Sequence, residues 1–205
     1  MVTCEIYIQS YGVSFIMITK FLNENLSYDG HQIQALWALD EQDIKGSSIV
    51  SWIGSMEIKP EKVIDIEDQG LEIKASENIN FIVEHFDVQP PSIRLCYHRQ
   101  RILVMILQNI LNRYGVSASR EGDDIYVDGR KLTVSIASVS QTSMKIHFGI
   151  NITSNGTPDD VDTIGLLETG LITPDDLLDI INLIMETYAK EIETIEEDLT
   201  KTRAL

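Results

Sequence analysis

The sequence predicts an α+β protein in which a mixed, largely antiparallel sheet is flanked by helices. Three observations support this fold class. Segments typical of strands and helices are intermixed without a regular strand–helix–strand alternation. An Asp-Gly turn joins two alternating runs in the second half, and two long segments each carry one apolar stripe. Because 43% of the 205 residues are hydrophobic, the chain can bury a sizeable core, and we expect a single domain over residues 1–205.

The first half of the chain predicts short elements separated by turn residues. Runs rich in β-branched and aromatic residues predict strands, and apolar residues at helical spacing predict helices. Pro60 and Gly70 interrupt the acidic stretch in the middle. In order, we predict strands over 4–9 and 13–19, a helix over 31–43, a strand over 47–53, an irregular stretch over 55–78 and a short helix over 80–86.

The second half predicts longer elements. An apolar stripe over 93–114 predicts a helix that ends at Gly115. Thr173 and Pro174 stand where the N-cap and the first residue of a last helix are expected, over about 174–199. Three strands are predicted between these helices, over 123–128, 130–138 and 144–152.

The hairpin around Asp128-Gly129 predicts a register. A type I′ turn needs positive φ at both central residues, which Asp-Gly provides. Tyr126 then faces Lys131, and Ile125 faces Leu132. The side-chain period of two predicts one core face and one polar face, and the polar face is either solvated or part of a site. The predicted core face has Ile125, Leu132 and Val134, and the polar face has Asp124, Tyr126, Lys131, Thr133 and Ser135.

This hairpin resembles part of the catalytic half of biotin and lipoate protein ligases. In those ligases an Asp on one strand precedes, by seven residues, a Lys inside a basic-Lys-hydrophobic run. Asp124 and Lys131 have this spacing, and Arg130 precedes the lysine. The strand containing Gly149 and Asn151 is similar to the Gly-Ile-Asn strand of biotin ligases. The whole chain resembles a mostly archaeal family, domain of unknown function 366, which is grouped with this ligase fold.

The resemblance implies a fold similar to that of class II aminoacyl-tRNA synthetases and biotin synthetase. It also implies that Lys131 contacts the carboxylate of an acyl ligand, because a fixed cation offsets the charge that develops when a carboxylate reacts. Asp124 and Tyr126 would position its ammonium group, and Asn151 would add a neutral hydrogen-bonding group. Ligand binding with acyl transfer or ligation is the function implied. The alternative is a binding or interaction module without catalysis.

The ligase resemblance implies ATP as the cofactor. However, the Arg- and Gly-rich segment that usually binds the nucleotide in ligases has no counterpart in this sequence. The first arginine of the chain is Arg94, and residues 47–55 contain no cation. The glycine usual three residues after the ligase lysine is Val134. The octanoyl-transferase Pro-Cys-Gly motif is also absent from the sequence.

Two further groups of residues are candidates for the site. Arg94, His98 and Arg101 share a face of the helix over 93–114. They predict either an anion site or pairing with the protein's own carboxylates. His147 lies beside an aromatic residue on a strand and is either a core histidine or part of the site. The four histidines are scattered, so we expect no metal site.

The charge of the chain limits its partners. Sixteen basic and thirty-two acidic residues give a net charge of −16, which repels nucleic acid and anionic membranes. The start of the sequence lacks a basic signal-peptide region, so we expect a cytoplasmic protein. The stripe of Tyr188, Ile192, Ile195 and Leu199 on the last helix allows packing on the domain or on a second copy, as a homodimer.

Overall fold

The computed structural model of the chain describes residues 17–66 and 69–203. Three α-helices and eight strands alternate irregularly along these residues. The helices are α1 (Trp37–Gln42), α2 (Ile93–Arg113) and α3 (Leu177–Asp198). The strands are β1 (Ile18–Leu22), β2 (Ser48–Ile58), β3 (Ile73–His85), β4 (Ala118–Glu121), β5 (Asp124–Val127), β6 (Arg130–Lys131), β7 (Thr133–Val139) and β8 (Met144–Asn151).

The larger sheet has five strands in the order β1-β2-β3-β8-β7. β1 is parallel to β2, whereas all other neighbours in this sheet are antiparallel. This mixed, largely antiparallel sheet with its helices confirms the predicted fold class. A second sheet of three strands has the order β4-β5-β6.

One face of the large sheet is covered by α2 and α3. Their apolar stripes bury residues such as Leu103, Leu107 and Ile184 completely. α2 begins where the Ser92 hydroxyl accepts a hydrogen bond from the Leu95 amide at 3.3 Å. Before α3, one 3-10 turn over Pro174–Asp176 replaces the first turn of the predicted helix. No helix in the described part of the chain is both long and apolar enough to cross a bilayer.

The opposite face is covered by the segment 23–46, which includes α1. The Trp37 ring packs against Trp52 of β2 with 5.6 Å between ring centroids. Near Gly54 the segment comes so close that a Cβ on this glycine would lie 1.8 Å from the Leu26 carbonyl oxygen. That same oxygen accepts a hydrogen bond from the Trp52 indole at 2.9 Å. Glycine at position 54 is therefore required by the close approach of two backbones.

The predicted hairpin register is confirmed, because Tyr126 pairs with Lys131 and Val127 with Arg130. Asp128 and Gly129 have φ of 52° and 76°, as a type I′ turn requires.

Beyond Leu132 the predicted faces are wrong. The chain leaves the small sheet there and joins β8, which breaks the alternation. Ser135 accordingly faces α2, where its hydroxyl accepts from Gln100 Nε2 at 2.8 Å. Val134 packs instead on the opposite side of the large sheet, against the cluster that contains Trp52.

The prediction of a short helix over 80–86 is wrong, because residues 80–85 belong to β3. Phe81 and Val83 face the helices, and Ile82 faces the segment 23–46. Since both faces of this central strand are covered, residues 81–83 form a continuous apolar run in which no alternation is visible.

Other boundaries also differ from the predictions. The helix predicted over 31–43 is limited to α1, and the strand over 47–53 continues through Gly54 to Ile58. The stretch over 55–78 is irregular only between β2 and β3, and β4 was not predicted. The predicted strand over 4–9 lies outside the described residues. Of the strand over 13–19, only the end is described, and it belongs to β1.

Candidate functional site

Three of the predicted site residues line one pocket of about 230 Å³, which we call the outer pocket. Asp124 begins β5, Lys131 ends β6 and Asn151 ends β8. The backbone N–H of Asn151 donates a hydrogen bond to the Leu132 carbonyl at 3.0 Å, and this bond joins the hairpin to the large sheet. The backbone of Lys131 is fixed on its other side by the Asp162 carbonyl and the Ile164 amide, at 2.9 and 3.0 Å.

The Lys131 side chain lies in the wall of this pocket. Its ammonium nitrogen is 2.9 Å from Asp124 Oδ2, and the two side chains are 32% and 25% exposed. A charge-assisted contact of this length orients the ammonium group. The partial exposure leaves the lysine reachable from the pocket.

Asn151 is 4% exposed, and its amide nitrogen donates to the Ile164 carbonyl at 3.4 Å. Its partner in the neighbouring strand is Asn78. Asn78 Oδ1 is buried and has no hydrogen-bond partner among the described residues. Of these two amides, Asn151 lines the outer pocket, and Asn78 is buried beside it.

The charge of the outer pocket is predominantly negative. Five carboxylates and two lysines line it. Lys74 pairs with Glu72 at 2.5 Å, so both lysines are in contact with a carboxylate. The charged lining residues are Asp65, Glu72, Asp123, Asp124, Asp160, Lys74 and Lys131.

The predicted cationic face of α2 is paired in part with the protein's own carboxylates, and its role as an anion site stays a prediction. Arg101 pairs with Asp123 at 2.6 Å, and Arg94 is exposed. Asp123 lines the outer pocket, so the Arg101 charge is taken up by this carboxylate. The alternative, pairing with the protein's own carboxylates, therefore holds for Arg101.

Tyr126 and Arg130 are half-buried on the hairpin but are not part of the outer-pocket lining. The pKa of Tyr126 is raised, first by burial and then by the charge of Asp124. Arg130 lies near Glu168. Burial pushes the pKa of Glu168 up, but hydrogen bonds from Ser154 outweigh burial, and the Arg130 charge adds a smaller lowering effect.

His147 and Gly149 lie deeper, on the face of the sheet that also presents Asn151. His147 is fully buried and stacks on Tyr28, with 3.5 Å between ring centroids and 7° between planes. Burial lowers the pKa of this histidine to about 3, so the ring is neutral at physiological pH. A Cβ on Gly149 would lie 2.6 Å from Asn78 Nδ2, so the glycine leaves room for that amide.

A second, smaller pocket of about 30 Å³ lies beside His147, and we call it the inner pocket. Its lining is mostly apolar and includes Tyr28, Ile33 and Ile136. The inner and outer pockets adjoin, because they share Asp65, Ile73, Val134 and Ser135 in their linings.

Sequence reasoning missed several polar residues on this face of the sheet. Asn78 and Asn80 on β3 neighbour β8. Further along, Glu84 and Lys145 form a buried ion pair at 3.1 Å. The alternating Asn-Ile-Asn sequence could have indicated these residues, but the helix predicted over 80–86 concealed the alternation. Tyr28 had no signal except its place before a turn.

A larger depression of about 640 Å³ lies near Gly54 and Thr153. Among the described residues that line it, the charged ones are Glu24 and Glu77. It therefore offers no cation to an acid.

The pockets that the described residues line do not fit a metal ion or a nucleoside triphosphate. Among the described residues, no group of three or more His, Cys, Asp or Glu side chains could hold a metal ion. A triphosphate needs several cations or backbone amides, whereas carboxylates outnumber lysines in the outer pocket. Gly54 of β2, in the stretch where the ligases have their nucleotide segment, is in contact with the backbone at Leu26.

Comparison with known proteins places these features in a family. The family model described as "Domain of unknown function (DUF366)" matches residues 17–203. An uncharacterized protein of Methanocaldococcus jannaschii is 40% identical over 191 residues, which are 90% of this chain and 84% of the relative. A solved structure of a protein of unknown function from Pyrococcus horikoshi is 39% identical. Its TM-score is 0.85, and the match covers 92% of this chain and 99% of that one.

More distant solved structures share the fold. A biotin protein ligase from Aquifex aeolicus, in complex with biotin and ATP, has a TM-score of 0.52 at 14% identity. That match covers 86% of this chain and 72% of the ligase. A T. acidophilum protein classed as a lipoate protein ligase, with bound lipoic acid, has a TM-score of 0.56 at 12% identity. The match covers 84% of this chain and 86% of the T. acidophilum protein.

Proposed function

The chain belongs to the family described as Domain of unknown function (DUF366), and from that premise we propose that it binds a small carboxylate-bearing or acyl ligand in the outer pocket. One observation carries the proposal. Lys131 and Asp124 of the hairpin and the distant Asn151 of β8 line the same pocket. The solved proteins that share this fold include one with bound lipoic acid and one with biotin.

In this proposal Lys131 binds the ligand's carboxylate. Asp124 holds the ammonium group at 2.9 Å and fixes its direction. The Asn151 amide offers a neutral hydrogen-bonding group, which binds without adding charge. Because the surrounding carboxylates repel anions in general, the ligand must carry one acid group rather than several.

Binding without an assigned reaction is the function that this site supports best. Ligation is the second candidate, because one of the proteins that share the fold holds ATP together with biotin. The poor fit of the outer pocket to a triphosphate argues against it. If the protein binds the acid without catalysis, it is a binding module that retains the ligase fold.

The test is calorimetric titration of the protein with octanoic acid, lipoic acid and biotin, each with and without ATP. Pyrophosphate release is measured in the same mixtures. We expect saturable binding of at least one acid that does not require ATP. Pyrophosphate release with any acid would establish the second candidate instead. If no acid binds and ATP gives no thermal shift, the proposal is wrong.

Two further expectations belong to this proposal. We propose a cytoplasmic protein that does not bind nucleic acid, which the net charge of −16 supports. Fractionation of cells and a DNA-binding assay test these points.

We also propose a homodimer that uses the exposed end of α3. Tyr188 and Ile192 pack in the core, whereas Ile195 and Leu199 are 41% and 70% exposed. Light scattering should give twice the chain mass, and replacing both exposed residues with Glu should give the monomer.

A further inference from the structure

The hydrogen bonds around His147 fix which of its ring nitrogens carries a proton. Asn80 lies beside it, with its Oδ1 at 3.2 Å from His147 Nε2. The amide nitrogen of Asn80 donates to the carbonyls of Gly54 and Asn78, both at 3.4 Å. Because those two partners are acceptors, the amide orientation is set, and Oδ1 faces the histidine as an acceptor.

His147 Nε2 must therefore donate to Asn80, so the proton of the neutral ring is on Nε2. The other nitrogen, Nδ1, is then an acceptor with a lone pair. It is buried and has no hydrogen-bond partner among the described residues. A buried acceptor without a partner is costly and is rarely left so in a folded protein.

The inner pocket places this histidine within reach of a ligand. His147 lines the pocket, and the stacked Tyr28 ring covers one of its faces. The pocket, at about 30 Å³, has room for one small group or one water molecule. It adjoins the outer pocket, so one elongated molecule can extend from one to the other.

The distance between the two ends follows from the strand. Asn151 and His147 lie four residues apart on β8 and face the same side, so they are separated by about 13 Å. An acid whose carboxylate is near Lys131 and Asn151 can therefore reach His147 only with the far end of an extended chain.

We propose that His147 is a specificity-determining residue, and that its Nδ1 accepts a hydrogen bond from an N–H or O–H at the far end of the bound acid. This inference rests on the proposed function, because it assigns the class of acid that the outer pocket binds. Acids with a purely alkyl end leave Nδ1 without a partner and displace any water that served it. The site thus selects acids with a distal donor and disfavours plain fatty acids.

The experiment compares ω-hydroxynonanoic acid with decanoic acid, which have equal numbers of heavy atoms, by calorimetric titration of the unaltered protein. We expect the hydroxy acid to bind about tenfold more tightly, the effect of one buried hydrogen bond made or lost. Equal affinities, or tighter binding of decanoic acid, would overturn the inference and leave the proposed function intact. Failure of both acids to bind would overturn the inference, and if octanoic acid, lipoic acid and biotin also fail to bind, the proposed function is wrong as well.

A variant provides the second measurement. His147→Phe keeps a ring against Tyr28 but removes the acceptor, so the preference for the hydroxy acid should disappear while decanoic acid still binds. A preference that survives in a folded His147→Phe protein would show that another group selects the ligand. If this variant does not fold, the nitrogen-15 signal of Nδ1 in the unaltered protein serves instead. It should move toward the value of a hydrogen-bonded acceptor with the hydroxy acid and not with decanoic acid, and equal shifts would contradict the inference.

Discussion

At the scale of single residues, Asp124 and Lys131 are in contact at 2.9 Å on one hairpin, and Asn151 of another strand lines the same pocket. The spacing of Asp124 and Lys131 follows from a two-residue turn, which is a local feature that sequence can specify. The place of Asn151 in the same pocket needs the hairpin to dock on β8, which is not local. Arg101 was assigned to the site, yet Asp123 neutralises it, and no pattern on α2 could indicate that partner.

Replacing Lys131 should separate binding from stability. We expect Lys131→Ala to abolish acid binding in the calorimeter, because the one cation oriented toward the ligand is lost. The free energy of unfolding should change by less than about 1 kcal/mol, since a partly exposed ion pair contributes little.

Lys190→Ala, an exposed lysine of α3, is the matched control and should change neither quantity. A large loss of stability in Lys131→Ala would instead assign this lysine a structural role.

At the scale of elements, the sequence predicted α2, α3 and the hairpin, and it failed at the middle of the sheet. Helix stripes and an Asp-Gly turn are readable because one side of each element faces solvent. β3 has a layer on both faces, so Phe81 and Ile82 are equally buried and their periodicity vanishes. α1 is short because the residues before it form turns that support Tyr28 and Trp37, which only the complete fold specifies.

A buried ion pair joins α2 to the end of β3. Arg99 and Asp87 are 6% and 5% exposed and form two hydrogen bonds. Burial pushes the pKa of Asp87 up, but the hydrogen bond and charge of Arg99 outweigh burial and leave this pKa lowered. Removing one partner leaves a buried charge, which typically costs about 3–5 kcal/mol.

Asp87→Ala should therefore lower the free energy of unfolding by about that amount in chemical denaturation. The double variant Asp87→Leu with Arg99→Met should be more stable than Asp87→Ala, because no charge is left buried. A double variant that is less stable than Asp87→Ala would mean that the attraction between Arg99 and Asp87 holds the two elements together. The cost of the single variant would then not come from a charge left buried without a partner.

At the scale of the whole molecule, the fold class and the acidic character were predictable, whereas the layer formed by residues 23–46 was not. This segment has few regular elements, so no periodicity marks it. It lies on one face of the sheet, where Tyr28 and Ile33 help to line the inner pocket. The assignment of the whole chain to one domain stays a prediction.

Two buried neutral histidines should make the stability of the molecule depend on pH. Burial lowers the pKa of His147 to about 3. For His85, burial and then the Arg99 charge lower it to about 3. As the pH falls below about 6.5, the unfolded chain takes up protons at these positions and the folded chain does not. Each histidine then removes about 1.4 kcal/mol of stability per pH unit, a loss that is absent above that pH.

Urea denaturation between pH 7 and pH 4.5 measures this slope. His85→Gln should reduce this slope by the contribution of one histidine. The hydrogen bond between His85 Nε2 and the Tyr188 hydroxyl, at 2.9 Å, is also lost in this variant. His98→Gln, at an exposed position, should leave it unchanged. An identical slope in His85→Gln would mean that His85 does not contribute to the pH dependence.

The contact between Gly54 and the Leu26 carbonyl also bears on protein engineering. A designer who wished to install nucleotide chemistry would look first to this stretch of β2, where ligases carry their arginines. No side chain can be grafted at position 54 while the overlying backbone follows its present path. Such a redesign must start by rerouting the covering segment, because a point substitution at position 54 alone would place a Cβ 1.8 Å from the Leu26 carbonyl oxygen.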